Sequence, residues 1–206
     1  MNTFLKPDDF PWPSLDDDLL EIGDNWSTVA SINKGWNPSY ALVEGYKEAA
    51  DILVKEAVTD SVKLSFLVYP IVYNYRHHIE LKLKKVIKNG CKLLDWELPN
   101  IQNHWVDNLW RQAKKVIEEV WPEGPKNDLK AVENTIEQLK SIDPDSFHFR
   151  YIESKKGELH NQDLSEIDII SFSKVMNNLA SFLNGTNDGI LHYQEMKDDL
   201  RSNFIP

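Results

Sequence analysis

Cysteine is almost missing from this chain. Cys91 stands alone in 206 residues, so no intrachain disulfide can form and no cysteine cluster can hold zinc. Long apolar runs are missing too. The longest stretch, around Leu64–Val72, is interrupted by Ser65 and Pro70, well short of the roughly 20 apolar residues of a membrane-spanning helix. Met1–Asp9 has no basic start followed by an apolar run and so does not read as a secretory signal. No Gly-rich phosphate loop, Gly-x-Ser-x-Gly elbow or His-Glu-x-x-His occurs. Basic charge is also short: 23 Lys and Arg against 33 Asp and Glu leave a net charge of −10, which disfavours indiscriminate nucleic-acid binding. These absences lead us to expect a cytoplasmic protein with no membrane contact, no cofactor and no resident metal.

The chain does hold apolar and aromatic mass. Hydrophobic residues make up 41% and aromatics 11%, with seven Trp, too much for a disordered chain. The charge is uneven. Asp8, Asp9, Asp16, Asp17, Asp18, Glu21 and Asp24 face only Lys6 near the start, whereas Arg76, Lys82, Lys84, Lys85 and Lys88 face only Glu80 over residues 74–90. That basic helix is either an anion-facing surface or a solvated face balanced by acidic neighbours.

Periodicity predicts an all-α antiparallel helical bundle in a single domain over 1–206, with an irregular arm over 1–36 and a helical core over 37–206. The arm is Pro- and Asp-rich and is expected to be pinned by Phe10 and Trp12, with a short helix near Asn25–Ile32. Asn37-Pro38 opens the first helix, which should end near Val58. The second begins after Asp60-Ser61, is kinked or broken at Pro70, and stops at Asn89-Gly90. A third is expected from Gln102 to Trp121 and a fourth from Asn127 to Ile142. Phe147–Tyr151 alternates aromatic and polar residues and reads as extended, with His148 and Arg150 on one face. Two helices, Ser165–Leu183 and Gly189–Leu200, should flank the polar run Asn184–Asp188.

The chemistry concentrates on the second helix. Arg76 and Glu80 are four apart and can pair; Asn74 and His77 border the same side, and His78 points away. Arg offers a donor fork for phosphate, His moves protons near neutrality, and Glu can orient an imidazole or act as a base. His104 reaches this group if the third helix packs on the second. The candidate site is therefore His77, His104 and Glu80 for catalysis, with Arg76, Arg150 and Lys82 for phosphate. The same residues suit a buried polar network that only fixes helix register. His77 with Glu80 is also compatible with a carboxylate–His metal site, and Cys91 reads as a packing residue.

The stretch Tyr75-Arg76-His77-His78-Ile79-Glu80-Leu81-Lys82-Leu83-Lys84 resembles a signature of uncharacterised bacterial proteins. His104 followed by Leu109-Trp110, then Phe149-Arg150-Tyr151, and the upstream Glu44–Asp51 segment are similar to further parts of it. More distantly, the helical plan and the Arg-His helix resemble the HEPN superfamily, many of whose members are metal-independent RNases of toxin–antitoxin and phage-defence systems. Others are inactive binding or dimerisation modules. The usual motif has four to six residues between Arg and His; here His77 is adjacent, and Leu81, Lys82 and Leu83 hold the positions the His would take. The resemblance implies RNA as substrate, with an antitoxin or defence protein, or a second copy of the chain, as partner. The alternative is a non-catalytic protein-interaction module.

Overall fold

A computed structural model describes residues 12–32, 37–124 and 126–204. They fall into two units divided between Pro38 and Ser39. In the first, the Ser14 amide donates to Asp17 at 2.7 Å, and Asn25 caps a single 3-10 turn, Trp26–Thr28, where a longer helix was expected. Trp12 is exposed, and Phe10 lies outside the described residues.

Five α-helices occupy the second unit among the described residues: α1 Pro38–Ala57, α2 Ser61–Leu94, α3 Val106–Val120, α4 Lys126–Ile142 and α5 Ile169–Phe204. The all-α bundle is as expected. Its directions are not all antiparallel. Tyr75, Asn89 and Asp95 on or after α2 meet Asn177, Asn187 and Lys197 of α5 in the same order. Arg76 meets the backbone just before α3, and Gly90 meets Val116 near its end. So α3 and α5 run parallel to α2, while α1 on α2 and α4 on α3 are antiparallel. Between the parallel α2 and α3 the connection 95–105 carries the chain back along the bundle; α4 makes the next return itself, and 143–168 links its end to the start of α5. The backbone groups of both connections need partners.

The helix α2 is central, packed between α3 and α5. Asp60 caps its start, accepting from Val62 and Lys63 amides. It runs through Pro70 without a break. One intrahelical bond is forfeited there, and burial of Ile71, Val72, Tyr75 and Ile79 directly beyond it holds the helix together. It also overruns the stop expected at Asn89-Gly90. Gly90 serves helix packing instead: a Cβ there would meet Val116 Cγ1 at 2.0 Å. Asp95, at φ 55°, supplies the left-handed turn that ends the helix.

The helix α3 begins at Val106, later than Gln102, because Asn100 and Asn103 accept from the Gln102 and Trp105 amides and hold a turn in its place. The two C-terminal helices expected from the Asn-Gly-Thr-Asn-Asp run are one. Within α5 Asn187 is buried and bonded to Asn89 at 2.8 Å, and Gly189 lies against the Trp121 ring. Tertiary contact therefore overrides the local preference of this polar run. No helix among the described residues is long and apolar enough to cross a membrane.

Candidate functional site

Arg76 and Glu80, one turn apart on α2, are both fully buried. Arg76 donates through Nη1 to Glu80 Oε2 at 3.1 Å, through Nε to the Asp143 carbonyl at 3.0 Å, and through Nη2 to the His104 and Pro144 carbonyls at 2.6 and 3.4 Å. One guanidinium thus satisfies backbone from both connections at once, as its planar fork allows. Asp143 Oδ2 lies 3.2 Å from Arg76 Nε but makes no aligned hydrogen bond. This is a charge contact only. Burial pushes the Asp143 carboxyl up, with Arg76 opposing.

Glu80 Oε1 accepts from Lys84 Nζ and pairs with His104 Nδ1, each at 2.8 Å. Burial raises its carboxyl, but the hydrogen bonds and charges of Lys84 and His104 outweigh that and hold it below the ordinary value. Glu80 is therefore an anion with its lone pairs engaged. It can orient an imidazole; it has no access to a substrate.

The rim differs. The His104 side chain is 52% exposed. Since Nδ1 faces a carboxylate it carries the proton, which leaves Nε2 as an acceptor toward solvent. His77 lies with Nδ1 3.9 Å from Glu80 Oε2, edge-on to Tyr46 at 4.4 Å and stacked on Tyr73 at 5.6 Å. Burial holds the His77 imidazole below its usual value, partly countered by Glu80.

Arg150 extends this rim. Residues 147–151 form a turn, not the expected extended segment: the Arg150 and Tyr151 amides both donate to the Phe147 carbonyl. The turn places Phe147 and Tyr151 side by side with Arg150 across both, while Phe149 is buried against Tyr69. The Arg150 guanidinium is 4.7 Å from the Phe147 centroid and 5.4 Å from that of Tyr73, with Nε donating to the Ser146 carbonyl at 2.6 Å. Among the described residues it pairs with no carboxylate.

Five of the six sequence-derived candidates thus form one connected patch; Lys82 is the exception. It lies on the α1-facing side of α2, buried and paired with Glu44, near His78, whose Nδ1 bonds the Val43 carbonyl at 2.8 Å. Lys82 is two positions from Glu80, which puts it across the helix. Arg76 is also corrected: with its donors bound to carbonyls and to Glu80, it is a brace, not a surface phosphate ligand.

Sequence reasoning missed Tyr73, Lys84 and Asp143. The first two were legible as i−4 of His77 and i+4 of Glu80. Asp143 had no local signal. Cys91 is buried, and burial pushes its thiol up. Among the described residues no group of three His, Cys, Asp or Glu side chains could hold a metal ion. No family model matches the chain, and neither a curated protein nor a solved structure matches it.

Proposed function

We propose that this chain is a HEPN-like nucleic-acid-acting protein, a metal-independent RNase whose reactive face is the rim and whose Arg76–Glu80 pair is the support beneath it. The observation that carries this reading is the His104–Glu80 dyad: a half-exposed imidazole held at 2.8 Å by a buried carboxylate. That geometry fixes the tautomer and stabilises the imidazolium formed when Nε2 takes a proton.

In the reaction, His104 Nε2 takes the proton of an RNA 2′-hydroxyl. The O2′–P bond forms, the P–O5′ bond breaks, and protonated His77 supplies the proton to the leaving oxygen. Arg150 offsets charge on the phosphate. Because burial keeps the protonated fraction of His77 small at neutral pH, cleavage should be faster on the acid side of neutrality. A role in a toxin or phage-defence system rests on the family resemblance alone.

The test is cleavage of single-stranded RNA in EDTA. His104→Ala should lower the rate by roughly 10²–10⁴-fold with unchanged circular dichroism. Loss of wild-type activity in EDTA, or equal rates for the variant, overturns the reading. The second reading, a non-catalytic interaction module, is favoured by the complete burial of Arg76 and Glu80, and it stands if RNA is neither bound nor cleaved.

A further inference from the structure

The geometry points to a base-binding subsite in the 145–160 connection, shaped for a nucleotide with an amino-bearing base. This rests on the nucleic-acid reading and names what the rim would hold.

A cavity of about 570 Å³ is lined by Asp145, Phe147, Tyr151, Glu153, Lys155 and His160, within the range of small-molecule sites. Two of its walls are aromatic. Phe147 and Tyr151 have ring centroids 5.7 Å apart and planes 26° apart, and they remain 37% and 54% exposed. Exposed, near-parallel rings are costly as bare surface and suited to stacking a planar base. Arg150 fixes both rings from within the same turn, at 4.7 and 5.6 Å.

The polar groups narrow the ligand. Lys155 makes no ion pair among the described residues, so its ammonium is open to a phosphate. Asp145 already accepts the Phe147 amide at 3.2 Å. The Glu153 carboxylate has no such tie, and the hydrogen bonds around its bridge with Leu159 come from the flanking Ser154 and His160 amides. An open carboxylate beside a stacking platform accepts from an exocyclic amine, which adenine, cytosine and guanine carry and uracil lacks.

The subsite is continuous with the dyad. Arg150 lies over Tyr73, Tyr73 stacks on His77, and His77 borders Glu80, to which His104 is bonded. A base seated on Phe147 and Tyr151 would therefore belong to the strand whose phosphate lies at the rim. This makes single-stranded RNA the substrate class, because paired bases present no open face.

Isothermal titration of the full chain with AMP, GMP, CMP, UMP and inorganic phosphate tests this. The three amino-bearing nucleotides should bind, UMP roughly tenfold more weakly and inorganic phosphate least. Tyr151→Ala should weaken CMP binding by about tenfold or more and Tyr151→Trp should retain it. Glu153→Ala should bring CMP down to UMP. Both side chains are exposed, so unchanged circular dichroism is expected and monitored. The subsite is overturned if phosphate binds as well as the nucleotides, if nothing binds at millimolar concentration, or if Tyr151→Ala has no effect. His104-dependent cleavage without nucleotide binding sinks this subsite alone. Nucleotide binding without cleavage sinks only the RNase.

Discussion

Arg76 and Arg150 carry the same guanidinium into the same patch and meet opposite surroundings. Around Arg76 are three backbone carbonyls and the Glu80 carboxylate, and no water reaches it. Arg150 rests on three rings with one tie to the Ser146 carbonyl, and it stays exposed. The difference teaches that charge in a patch is structural or reactive according to what occupies its donors, not according to where it sits in a motif. Arg76 joins α2 to the connections 95–105 and 143–168. Arg150 keeps a fork open.

Breaking the sealed end should have the largest effect on stability. Arg76→Ala leaves Glu80 Oε2 and three carbonyls without their donor in a buried setting, a loss of about 3–5 kcal/mol in urea denaturation. Arg76→Lys should not restore it, since a single ammonium cannot reach Glu80 and both connections. A loss under about 1 kcal/mol would mean that water enters and that the end is not sealed.

The acid limb of stability sharpens the contrast next. Glu80 is held below its usual pKa of 4.5, so its contribution is complete above that pH and is lost as pH falls through the lowered folded value. Asp143 has the opposite sign. Its carboxyl is raised above 3.8, so it adds stability on acidification and loses it as pH rises. Unfolding followed from pH 7 to 3 should therefore show a flatter acid limb in Glu80→Gln and a steeper one in Asp143→Asn. Equal slopes would remove both carboxylates from the network.

At the open end, Arg150→Ala should change stability by no more than about 0.5 kcal/mol while weakening RNA binding in a salt-dependent way. A large stability loss would move Arg150 to the sealed class. The smallest effect is expected from Lys82→Met. Its partner Glu44 is only partly buried, so about 0–1 kcal/mol is expected, with RNA binding unchanged in filter or fluorescence assays.

Much of the bundle was legible because helix ends and apolar spacing are local. Pro38 and Asp60 marked the starts of α1 and α2, and Leu129, Val132, Ile136 and Leu139 marked the buried face of α4. Misreadings fell where a distant neighbour outweighed a local preference. Gly90 looked like a stop, and Val116 explains it as a contact. The run Asn184–Asp188 looked like a loop, and burial against Asn89 and Trp121 keeps it helical. In the site, the Arg76–Glu80 pair was readable from spacing, whereas the approach of His104 hung on how the third helix packs. Lys82 was misplaced because a two-residue step on a helix crosses to the far side.

Local spacing was enough to make the chain helical, to put Arg76, His77 and Glu80 on one side of α2 and to turn His78 away from it, because these depend only on the 3.6-residue repeat. Tertiary structure alone decided that α3 and α5 run parallel to α2. It also decided that Arg76 and Glu80 are sealed while His104 and Arg150 are open. Those outcomes depend on where residues 95–105 and 143–168 run over the bundle, and on which of their carbonyls come to rest on a guanidinium. No local pattern encodes that meeting; it follows from packing the whole chain around α2.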